Sequence, residues 1–104
     1  LRYFYIYLLS SKAAQTISIG ASYSKNINED IVEVQGSRGF ILEGWFIGKP
    51  ADLTVLREIF RPYKNRSKHG YYRRSEIIEN WITLLNSDDR DTARELLEIH
   101  RRLK

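Results

Sequence analysis

Between Arg57 and Arg74 stand seven basic residues: Arg57, Arg61, Lys64, Arg66, Lys68, Arg73 and Arg74. Glu58 is the only acid in that stretch, so the window is net +6 in a chain whose net charge is +4, and the remainder is net −2. Tyr63, His69, Tyr71 and Tyr72 are interleaved with the bases. Such a cluster suits a phosphate backbone, because each neutralised phosphate releases condensed counterions. Arginine offers a planar fork to phosphate or guanine, and a tyrosine such as Tyr71 can stack on an unpaired base or donate to phosphate. The expected contact residues are therefore Arg57, Arg61, Lys64, Arg66, Lys68, Arg73, Arg74 and Tyr71, and the expected partner is nucleic acid. The competing reading is a solvated loop whose bases pair with Glu76, Glu79 or acids of the last helix.

The other chemistry-bearing residues offer less. Cysteine is absent, which excludes a disulfide scaffold, thiol catalysis and thiolate zinc sites. His69 and His100 are the only histidines, too few for a multi-histidine metal centre. Asp88, Asp89 and Asp91 lack the spacing and the later Glu of a calcium loop, and helix capping accounts for the first two. Gly36, Gly39, Gly44 and Gly48 do not form a phosphate-cradling loop, since no Gly-Lys-Ser/Thr follows them. No metal site and no cofactor are expected from these residues.

Several elements must position these side chains. The chain has 104 residues, 42% of them hydrophobic and 29% charged, which fits one domain with a packed core. No apolar run approaches the ~20 residues of a membrane span. The longest, residues 3–9, has the composition of a strand buried on both faces. Residues 10–15 read as a polar connection, and Thr16-Ile17-Ser18-Ile19 alternates up to Gly20, completing a hairpin. Residues 24–34 read as a short helix running into a strand, with Ile27 and Ile31 on a helical face and Val32 and Val34 on a strand face. A turn at residues 36–39 precedes a strong strand at Phe40–Ile47, in which Gly44 marks a bulge or a close backbone approach. Pro50 opens a helix carrying Leu53, Leu56, Ile59 and Phe60 on one face, and Pro62 ends it. Tyr71-Tyr72 adds a short edge strand. Ser75 caps a helix to about Asn86 with Ile77, Ile78, Trp81, Ile82 and Leu85 buried. Ser87 caps a final helix with Asp88 and Asp89 in its first turn and Arg101, Arg102 and Lys104 in its last. With no methionine present, Leu1 is expected not to be a translation start, and the chain reads as an excised or processed domain. The absence of a cleavage pattern after Leu9 argues for a cytoplasmic location.

In order, Tyr5-Ile6-Tyr7-Leu8-Leu9, Ile17-Ser18-Ile19-Gly20, Leu42-Glu43-Gly44-Trp45-Phe46, the helix through residues 53–60, and Gly70-Tyr71-Tyr72-Arg73 follow a known pattern. The chain resembles the GIY-YIG nuclease superfamily, most closely its small phage-type DNA-binding branch. The resemblance covers residues 1–86, and the helix at residues 87–104 lies outside it, packed on or extending the same domain. It implies an α+β domain with a small, mostly antiparallel three-stranded sheet flanked by helices, a virus-encoded origin among its settings, and duplex DNA as partner.

The superfamily works with a tyrosine on the first strand, a second tyrosine before the glycine, an arginine on the first helix and a metal-binding glutamate. Tyr7 matches the first. Ser18 stands in the second place, the arginine position falls near Asn28 with Lys25 the closest base, the glutamate position holds Leu53, and the histidine position holds Arg57. Phosphodiester hydrolysis by this route needs a divalent cation, and Leu53 offers it no oxygen. The resemblance thus implies a nuclease-like domain that binds without cutting, with Arg57 a fixed cation where the metal would sit. The enzyme alternative is a metal-dependent endonuclease using Tyr7 with Asp52 or Glu58. A third reading is protein interaction, a homodimer or a host protein, through the final helix, with Leu97 or Ile99 and Trp45 exposed.

Overall fold

The seven-residue apolar run at the start of the chain demands cover on both faces, and its position in the sheet supplies it. The computed structural model describes residues 1–11, 16–36, 39–67 and 69–103. Strands β1 (Tyr3–Ser11) and β2 (Thr16–Ser24) form the antiparallel hairpin, pairing Tyr7 with Gly20 and Leu8 with Ile19. Strand β3 (Phe40–Ile47) pairs antiparallel with the other side of β1, and β4 (Tyr72–Arg73) with the far edge of β2. The sheet therefore has four strands in the order β3-β1-β2-β4; the resemblance implied three, and the fourth is the short edge strand expected at Tyr71-Tyr72, which runs over Tyr72–Arg73. The fold is α+β, with helices α1 (Ile27–Gln35), α2 (Pro50–Phe60), α3 (Glu76–Leu85) and α4 (Thr92–Arg102) around the sheet.

Alternation along β1 sends Ile6 and Leu8 to one face and Tyr5 and Tyr7 to the other. Ile6 and Leu8 join Phe46, Leu56, Phe60, Ile78, Leu85, Ala93 and Leu97 in the main core, which α2, α3 and α4 close. Tyr5 packs with Ile27 and Ile31 of α1 on the opposite face, flanked by Tyr7, Leu42 and Trp45.

Two departures from the sequence reading concern local competition. Residues 24–34 do not turn from helix into strand; α1 runs unbroken to Gln35. The Asn26 side chain accepts the Glu29 amide at 3.3 Å, Ile27 and Ile31 bury one face, and Val32 is left 67% exposed. A satisfied cap and a packed stripe outweigh the strand preference of two valines. At the other end, Ser87 accepts from the Asp89 amide at 3.1 Å and so closes a turn; α4 begins only at Thr92. Asp88 and Asp89 therefore precede the helix. Ser75 does cap α3, accepting the Ile78 amide at 3.3 Å, but Ile77 points outward. The expected polar connection at residues 12–15, Ser37 and Arg38 of the expected turn, Lys68 and Lys104 lie outside the described residues.

Gly44 serves both roles open to it. The β1–β3 register pairs Leu8 with Gly44 and then Leu9 with Leu42, leaving Glu43 as the extra residue of a bulge. A Cβ on Gly44 would come within 2.7 Å of the Leu85 Cβ, so α3 lies directly against the β3 backbone there. Asn86 ties the two together by donating to the carbonyls of Glu43 and Ile82.

Tyr5 gives the fold a pH dependence. Its ring is 3% exposed, and burial, then the charges of Asp30, Tyr7 and Glu33, raise the phenol above its ordinary value of 10.0. The folded state thus holds this proton more tightly than the unfolded chain. The associated stability is complete below about pH 10 and is lost as pH rises through the folded-state value. Urea titrations of wild type and Tyr5→Phe across pH 9–12 should show the alkaline decline of wild type reduced in the variant. Parallel declines would place the titrating group elsewhere.

Candidate nucleic-acid interface

The basic window folds into one edge of the domain, and its geometry follows from how α2 ends. Pro62 cannot donate within the helix, so α2 gives way to a 3₁₀ turn at Arg61–Tyr63. From there the chain doubles back. Lys64 bridges to Tyr72, and the Asn65 amide donates to the Tyr71 carbonyl at 2.9 Å. The Asn65 side chain accepts the Ser67 amide at 2.9 Å, and Gly70 takes φ +83°, a left-handed conformation that glycine adopts without strain. The Tyr72 ring meets Phe60 edge-on, 5.5 Å between centroids, which anchors the returning strand to the buried end of α2. Arg73 donates to the Pro62 carbonyl at 3.2 Å and fixes the 3₁₀ turn to β4.

These contacts create a cleft of about 400 Å³ lined by Ile19, Arg57, Lys64, His69, Gly70 and Tyr72. Arg57 reaches it from the exposed side of α2, and Lys64 and His69 come from the doubled-back segment. Arg61 and Arg66 are exposed in the same stretch of chain but do not line the cleft. Arg57, Arg61, Lys64 and Arg66 carry no ion pair among the described residues. Unneutralised bases around a concavity, with a histidine and a tyrosine at its wall, suit a phosphate ester.

The remaining residues of the window differ in environment. Arg73 is exposed on the edge strand. Tyr71 is half-buried, engaged by its neighbours, and outside the cleft. Arg74 is held by two carboxylates, with Nε 2.5 Å from Glu79 and an η-nitrogen 3.2 Å from Glu43. Its hydrogen bond to Glu79 outweighs partial desolvation and, with Glu43 adding to it, raises the guanidinium's pKa further. Arg74 therefore clamps β4 to β3 and α3, and its charge is already matched. Lys68 lies outside the described residues. His69, Gly70, Tyr72 and Ile19 complete the cleft and were missing from the expected contact residues; the interleaving of His69 and Tyr72 with the bases and the glycine inside the basic run were the available signals.

The residues of the hydrolytic alternative do not converge. Tyr7 lies on the α1 face of the sheet, stacked on Tyr5 at 5.5 Å, its ring across Gly20 where any Cβ would overlap it. Ser18 shares that face by strand alternation. Asp52 and Glu58 belong to α2, on the opposite face. The Asp52 carboxylate accepts the Lys49 amide at 2.8 Å and stands 3.6 Å from Arg94, so it caps α2. Glu58 is engaged by another residue. Leu53 packs against the main core. Among the described residues no three His, Cys, Asp or Glu side chains are grouped to hold a metal ion. Trp45, expected to be exposed, is half-covered by Arg90, whose guanidinium sits 4.2 Å from the ring centroid. Among the described residues no helix is long and apolar enough to cross a membrane.

No family model, curated protein or solved structure matches the chain.

Proposed function

We propose that this domain binds nucleic acid, duplex DNA foremost, through the cleft between α2, β2 and the segment that returns to β4. The observation that carries the reading is the convergence of Arg57 and Lys64, unpaired among the described residues, on one cleft beside His69. In this reading Arg57, Lys64 and His69 hold a phosphate in the cleft, while Arg61, Arg66 and Arg73 meet neighbouring phosphates along the edge. The contacts go to the backbone, so affinity depends strongly on salt and weakly on sequence.

The reading includes a GIY-YIG-like descent without hydrolysis. Support comes from the order of strands and helices and from Tyr7 and Ser18 sharing one sheet face; the absence of hydrolysis in this reading rests on Tyr7 and the α2 residues lying on opposite faces of the sheet. It implies a cytoplasmic protein acting on DNA, with a virus-encoded one included.

Fluorescence anisotropy with a labelled 20-base-pair duplex tests it. With about four to six phosphates neutralised, log affinity should fall against log salt with a slope of roughly −4 to −5. The same duplex should remain intact in magnesium or manganese. Absence of binding at ~20 mM salt removes the proposal, and metal-dependent cleavage that is abolished in Asp52→Ala or Glu58→Ala replaces it with the enzyme.

A further inference from the structure

Helix α4 carries two apolar stripes, and the fold consumes only one. Ala93 and Leu97 are buried in the main core; of the two residues between which the sequence left exposure open, Leu97 or Ile99, Ile99 is the exposed one. Leu96, Ile99 and Leu103 are 43%, 53% and 82% exposed. With Thr92 they are spaced four, three and four residues apart, which aligns them in one seam along the outer side of the helix. The seam's flank is charged in a graded way. Glu95 and Glu98 precede Arg101 and Arg102.

We propose that the exposed seam of α4 pairs with the same seam of a second copy, the two helices antiparallel. The charges decide both the occupant and the direction. In heptad terms Leu96 and Leu103 occupy a positions and Thr92 and Ile99 occupy d positions, which puts Glu95 and Arg102 at g. Antiparallel helices bring g residues of one copy beside g residues of the other. Glu95 then faces the partner's Arg102 and Arg102 faces the partner's Glu95, an isologous arrangement that closes after two copies. A parallel pairing would set Glu95 beside the partner's His100 instead of an arginine. Glu95 has no ion pair among the described residues, and Arg102 has only a surface contact with Glu98 at 3.3 Å, too weak to withhold it. Antiparallel alignment also sets the helix dipoles head to tail. Three turns of helix bury less than the ~1,600 Å² of a standard interface, so the dimer is weak and concentration-dependent.

Sedimentation of the nucleic-acid-free protein from about 10 μM to ~1 mM tests this independently of DNA binding. Wild type should shift from monomer to dimer within that range. Glu95→Arg and Arg102→Glu, both at exposed positions, should each weaken association about tenfold, and the double variant should restore it. A monomer throughout removes a second copy as the occupant. A dimer indifferent to the single changes, or a double variant that stays weak, places association on another surface.

Discussion

Replacing Arg57 and Lys64 together by alanine should lower duplex affinity at least tenfold at low salt and flatten the salt slope by about two. Each residue supplies one cation without an ion-pair partner among the described residues, and both line the same cleft. Neither supports the core: Arg57 and Lys64 are exposed, so the variant should melt like wild type. Arg74→Ala is the informative contrast. Its guanidinium bridges Glu43 and Glu79. Removing it should leave the salt slope unchanged and cost about 1 kcal/mol of stability, because two partly screened carboxylates lose their partner. If Arg74→Ala flattens the slope and the cleft pair does not, the interface lies on the β3–α3 side.

The largest expected effect on stability comes from Gly44→Val. The backbone at Gly44 has no unusual conformation, so the penalty is steric. Its Cβ would lie 2.7 Å from the Leu85 Cβ, an atom fixed to the α3 backbone that cannot rotate aside. Either α3 shifts away from β3 or the bulge at Glu43 is lost, and with it the Asn86 hydrogen bond to the Glu43 carbonyl. We expect a loss of about 3 kcal/mol and a fall in Tm of more than ~10 °C. Gly39→Ala separates this from a backbone effect. Gly39 has φ +81° with open space around it, so alanine there should cost only about 1 kcal/mol. A Gly44→Val melt coincident with wild type would mean that α3 does not rest on the β3 backbone.

The elements most legible in the sequence were those whose burial is one-sided or complete. The aromatic and aliphatic run of β1 announced a central strand, and it lies between β3 and β2 with helices on both faces. Pro50 and Pro62 bracketed α2, and Ser75 marked the start of α3, because these residues act through local backbone geometry. The two apolar stripes of α4 show where such reading stops. Ala93 with Leu97 and Leu96 with Ile99 both have helical spacing, and only the docking of α4 on α2 and α3 decides which is inside. The same holds for the site. Charge confined to one window was visible in the sequence; of its described bases, Arg57 and Lys64 share one cleft, whereas Arg74 pairs with Glu43 and Glu79. Arg74 could not be separated from the other bases, because one of its partners, Glu43, is 31 residues away. Nor could spacing show that Tyr7 and the α2 carboxylates lie on opposite faces, since that depends on which side of the sheet each connection crosses.

The central claim is that DNA meets the edge formed by α2 and β4, and amide chemical-shift mapping tests it most directly. Adding an unlabelled duplex to isotopically labelled protein should shift Arg57, Lys64, Arg66, Gly70 and Arg73 in a salt-sensitive manner, while Tyr7, Ser18 and the outer seam of α4 stay in place. Shifts concentrated around Tyr7 and Ser18, with the basic edge silent, would contradict the account.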